Sequence, residues 1–140
     1  MNKDLATTVH PKRCISPISV SDNTAQVGQV IDRLGYDSLT YLIAAGSLAD
    51  ADALFTVLLE ESDLSGSGFT AVADEHLIGT EALASFQFDD DNEPRKLGYI
   101  GNKQYSRLTI TPSGNASAAV VSAIALLGHP REMPTANPPA

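Results

Sequence analysis

Along most of this chain, apolar and polar residues alternate with a period of two. In residues 36–45 (YDSLTYLIAA), Leu39, Tyr41, Ile43 and Ala45 share one face. In residues 54–61, Phe55, Val57 and Leu59 do the same, with Thr56 and Leu58 opposite and Glu60 following. Residues 95–100 and 104–111 repeat the pattern, the latter setting Tyr105, Arg107, Thr109 and Thr111 against Leu108 and Ile110. These runs are short and rich in β-branched and aromatic residues, so each predicts a strand. Residues 116–127 are ambiguous: the alanines suit a helix, but Val120, Val121, Ile124 and a preceding turn favour a last buried strand. Glu81–Ser85 predicts one helical turn.

Turn chemistry separates the runs. Ser65-Gly66-Ser67-Gly68 breaks the chain before Phe69–Val72, and Thr111-Pro112-Ser113-Gly114-Asn115 closes another strand. Gly101-Asn102-Lys103 predicts a hairpin loop that sets Tyr99 and Tyr105 side by side across two strands. Seven or eight short strands at about ten-residue spacing predict an all-β fold, an antiparallel, jelly-roll-like β-sandwich.

The 140 residues include no Trp and a single Cys, so no intrachain disulfide forms and the core is mostly aliphatic. The net charge of −8 disfavours a nucleic-acid partner, whose phosphates it would repel. No apolar run predicts a secretory leader or a membrane span, which points to synthesis in a cytoplasm and to no membrane partner. The charge is uneven. Residues 1–13 carry Lys3, Lys12 and Arg13 against Asp4 (+2), residues 129–140 carry Arg131 and Glu132 (zero), and residues 14–128 hold the remaining −10. Four prolines in residues 129–140 forbid a helix or a central strand there. The organisation expected is an extended basic arm (1–13), a sandwich (14–128) and a Pro-rich tail (129–140).

Chemistry-bearing motifs are sparse. Asp89-Asp90-Asp91-Asn92-Glu93 misses the calcium-loop template, with Pro94 at its sixth position and Ile100 at its twelfth, and predicts a solvated loop. His10, His76 and His129 have no second ligand at zinc spacing. No nucleophile elbow, phosphate loop or dinucleotide fingerprint is present. A Ser–His–Asp triad, assembled in space, stays open at this point. The expectation is a protein that is not an enzyme and holds no metal or cofactor.

Three stretches carry a resemblance: Leu59-Glu60-Glu61-Ser62-Asp63 with Gly68-Phe69-Thr70-Ala71-Val72, then Leu97–Leu108 (LGYIGNKQYSRL), then Leu127-Gly128-His129-Pro130-Arg131. In this order, over residues 36–131, the chain resembles small head proteins of tailed bacteriophages and prophages associated with capsid decoration, or cement. The resemblance brings no catalytic residues. It implies a virion protein on the capsid surface, made in the bacterial host cytoplasm. Its partners would be the major capsid protein and other copies of itself, for example in a trimer. Lys3, Lys12, Arg13 and Arg131 are the candidate contacts. The same stretches also resemble discoidin-type sugar-binding jelly rolls, making a carbohydrate-binding module displayed on a particle the first alternative. That pattern's paired cysteines and stacking Trp are absent here. A head–tail connector or tail-tube subunit is the second alternative.

Overall fold

A computed structural model describes residues 2–139, and it is the expected antiparallel β-sandwich. Eleven strands run in chain order: β1 (Val9–Val20), β2 (Gln26–Val27), β3 (Ile31–Asp32), β4 (Tyr36–Leu48), β5 (Leu54–Ser62), β6 (Thr70–Ala71), β7 (Leu77–Ile78), β8 (Phe86–Gln87), β9 (Pro94–Tyr99), β10 (Tyr105–Ser113) and β11 (Ala119–Pro130). One helical turn, α1 (Glu81–Ala84), is capped by Thr80, whose side chain accepts from the Leu83 N–H at 3.0 Å. One sheet has the order β1-β11-β4-β9-β7; the other is built on β2-β10-β5-β6, with β3 also on β10 and β8 also on β5.

The alternation decides what is buried. Leu39, Tyr41 and Ile43 of β4 meet Phe55, Val57 and Leu59 of β5 across the core, all at most 2% exposed. Phe86 stacks on Phe55, ring centroids 4.9 Å apart, and supplies aromatic mass to an otherwise aliphatic interior. The ambiguous segment is indeed a strand, since Val121, Ala123, Ala125 and Leu127 point inward at every second residue. A polar contact joins the sheets through the core: the Tyr41 phenol of one sheet bonds to the hydroxyl of fully buried Ser106 in the other. Burial pushes the Tyr41 phenol far above its ordinary pKa.

Two expectations change. Gly101–Gln104 does not close a hairpin. Strand β9 pairs with β4 and β7, whereas β10 pairs with β5, β2 and β3, so the link crosses from one sheet to the other. Tyr99 therefore faces Leu39 and Leu77 in register, not Tyr105. Its hydroxyl donates to Glu61 at 2.5 Å and accepts the Lys103 N–H at 3.1 Å, pinning the crossing. A Cβ on Gly101 would collide with that Tyr99 ring, which is why the link needs glycine.

The second change is at the ends. Residues 9–13, assigned from the sequence to the extended basic arm, form the first half of β1 and pair with residues 124–128 of β11. Strand β11 itself runs on to Pro130. The tail then folds back on the N-terminal segment: Thr135 donates its N–H to Thr7 O at 3.0 Å and its hydroxyl to Val9 O at 2.6 Å. No helix among the described residues is long and apolar enough to cross a membrane.

Candidate docking surface

The inward residues of the β1-β11-β4-β9-β7 sheet are set by the core, and its outward residues are consequently fixed by the register. One outward row runs Pro11–Leu126–Thr40–Gly98–Ile78 across all five strands. The next runs Arg13–Ile124–Leu42–Lys96. Ile78, Ile124 and Leu42 are 62%, 46% and 40% exposed, so this is an aliphatic face in open solvent. Gly98 serves as the shelf for Ile78, because a Cβ there would meet the Ile78 Cβ at 2.9 Å. A shallow groove of about 280 Å³ between Pro11, Arg13, Pro17 and Ile124 continues the face to its β1 edge.

Charge is segregated with it. These five strands hold four cations (Lys12, Arg13, Arg95, Lys96) and, of the chain's 17 carboxylates, only Asp37. On the other sheet and at its edge, two cations are matched to carboxylates. Arg107 pairs with Glu60 at 2.9 Å and lies 4.3 Å from the Phe69 ring centroid, and Lys103 pairs with Asp63 at 2.7 Å. Asp63 holds the Lys103 ammonium above its ordinary pKa. The acidic run 89–93 is a turn that grips the start of β9, with Asp90 and Glu93 on Arg95 at 3.1 and 2.9 Å.

The four cations singled out from the sequence are not brought together. Arg13 lies on the outward face. Lys12, its neighbour, points to the opposite side, in register with fully buried Ala125. Lys3 is exposed ahead of the short 3-10 turn Ala6–Thr8. Arg131 lies past the end of β11, where its N–H donates to Gly35 O at 2.9 Å and its side chain shares a cleft of about 160 Å³ with Arg33. Among the described residues none of the four makes an ion pair. Lys96, Leu42 and Ile124 were missed as surface residues. The signal was there: residues 119–127 (AVVSAIALL) are apolar on both faces, more than a half-buried strand needs.

Other chemistry is limited. His129 Nδ1 lies 2.9 Å from Ser38 Oγ in a groove of about 510 Å³ lined also by Asp37, Leu5 and Met133. Among the described residues no carboxylate is bonded to that imidazole to orient it as a triad would. The pair sits where Gly128 and Ser38 are in register and clasps the ends of β11 and β4. Among the described residues no group of three or more His, Cys, Asp or Glu is placed to hold a metal ion. Burial raises the Cys14 thiol to about 12, so the thiolate needed of a nucleophile is suppressed.

No protein-family model matches the chain, and no curated protein sequence matches it. Among solved structures, the PBSX exported protein XepA overlays 84% of this chain with a TM-score of 0.54 at 16% identity. The two share a fold. This chain spans 36% of XepA's length. Looser overlays include the Bacillus endospore appendage pili (TM-score 0.41, 11% identity, 86% of this chain and 88% of that one). The xylan-binding module CBM15 is another (0.43, 9%, 92% and 95%), and neither bears on what this chain does.

Proposed function

We propose that this chain is a non-enzymatic structural protein of a phage virion, which docks on the outside of the assembled capsid and stabilises it. One observation carries the reading. The chain is acidic overall, yet Arg13 and Lys96, neither of them in an ion pair among the described residues, stand on the outward face of a five-stranded sheet whose strands hold a single carboxylate. Such a molecule presents one side to an acidic partner and keeps a solvated acidic side in water. Stabilisation then follows from mass action, because a ligand of the assembled lattice alone shifts the equilibrium towards assembly.

A sugar-binding reading has less support. Tyr41, Tyr99, Phe55 and Phe86 are spent in the core, Tyr36 stacks on His10, half-buried Phe69 lies beneath Arg107 and Tyr105 is half-buried, which leaves Phe88 as the one exposed Phe or Tyr ring among the described residues. Heads purified from the phage that encodes the chain are expected to carry it in fixed ratio to the capsid protein. Adding it to heads that lack it should raise their disruption temperature. Heads that neither carry it nor respond to it would refute the proposal.

A further inference from the structure

The row Arg13–Ile124–Leu42–Lys96 points beyond "a basic side" to one mode of docking. Two aliphatic side chains stand at its centre and a cation at each end. Four strands span three inter-strand gaps, so the cation-bearing backbones are about 14 Å apart. This is the anatomy of an interface, an apolar centre inside a polar rim. The rim here has one sign.

The edge beside it is closed to strand addition. Strand β1 carries Pro11 and Pro17, and its register shifts between Arg13 and Ile15 and again between Ile15 and Ile18. Prolines and bulges on an edge strand prevent a partner strand from pairing there. A second copy is also a poor occupant of the face. A two-fold axis through the middle of the row, along or across the strands, would set Arg13 against Lys96 or against another Arg13, and like charges opposed in an interface repel.

Resting on the decoration reading, we infer that the outward face of the five-stranded sheet docks flat on a capsid-protein surface whose own aliphatic patch is flanked by carboxylates. Charge complementarity selects that occupant: an acidic protein surface answers both Arg13 and Lys96, whereas this chain's own face answers neither.

The test is co-sedimentation with purified heads lacking the protein, at low and at physiological salt. Arg13→Glu and Lys96→Glu are each expected to weaken binding about tenfold, and the double reversal about a hundredfold, at unchanged melting temperature. Ser65→Glu/Ser67→Glu adds the same −2 as one reversal in an exposed turn beyond the other sheet, and is expected to bind like the wild type. Wild-type binding that the double reversal leaves intact overturns the docking mode and leaves the decoration reading standing. Heads that fail to bind even the wild type overturn both. A dimer of the free protein that Ile124→Asp dissociates would assign the face to a second copy and overturn the inference.

Discussion

Tyr41 and Ser106 are the residue pair on which the two sheets meet through a polar bond in the core. Tyr41→Phe leaves the buried Ser106 hydroxyl without its partner, and is expected to cost about 1–3 kcal/mol in urea unfolding. Adding Ser106→Ala should recover much of that loss, since removing both partners is cheaper than orphaning one. Cys14, Tyr99 and Tyr41 set the alkaline limit. Burial raises the first two to about 12 in the fold, with the Glu61 carboxylate adding to the effect at Tyr99, and pushes Tyr41 further still. A raised folded pKa stabilises fully below the unfolded value and is lost above it. Melting temperature should therefore fall as pH rises from about 8.5, the unfolded thiol's value, towards 12. At pH 8, Cys14 should react with a thiol reagent only after denaturant is added.

At the scale of elements, β1 decides whether the N-terminus is an appendage or part of the fold. Residues 9–13 supply five register pairs to β11, and His10 is buried against Tyr36 with ring centroids 5.7 Å apart. Deleting residues 1–13 removes that half-strand, and ladder bonds at about 1 kcal/mol each give an expected loss of roughly 3–5 kcal/mol. Deleting residues 1–5 should leave the melting temperature almost unchanged, and equal effects of the two truncations would contradict this role for β1. The strands β4 and β5 were legible because burial alternates along most of each, and β9 and β10 because Leu97 and Tyr99, and Leu108 and Ile110, fall at every second residue on the core side. The end of the arm was not, because Val9-His10-Pro11-Lys12-Arg13 has two obstacles to that reading: a proline, which removes a ladder donor, and a pair of adjacent cations. A strand at a sheet edge tolerates both. The link 101–104 was misread for a related reason. A Gly-Asn turn reports a reversal of direction, whereas which sheet receives the next strand is fixed by the core, through Tyr99, Leu39 and Leu77.

At the scale of the molecule, the −8 charge is arranged so that one sheet stands almost free of carboxylates. The candidate surface was half legible. Arg13 was visible as a cation, but its association with Ile124, Leu42 and Lys96 depends on a register across four strands that are distant in sequence. Docking through this face should weaken with salt, since exposed cations are screened within about 8 Å at physiological ionic strength. A partner bound mainly through the aliphatic centre would lose less.

The most direct measurement is an electron cryomicroscopy reconstruction of purified heads incubated with the protein. The account predicts sandwich-shaped density on the outer capsid surface, with the β1-β11-β4-β9-β7 sheet against the shell and the β2-β10-β5-β6 sheet outward. Bare heads, or a sandwich bound with Ile124 and Leu42 facing solvent, would contradict it.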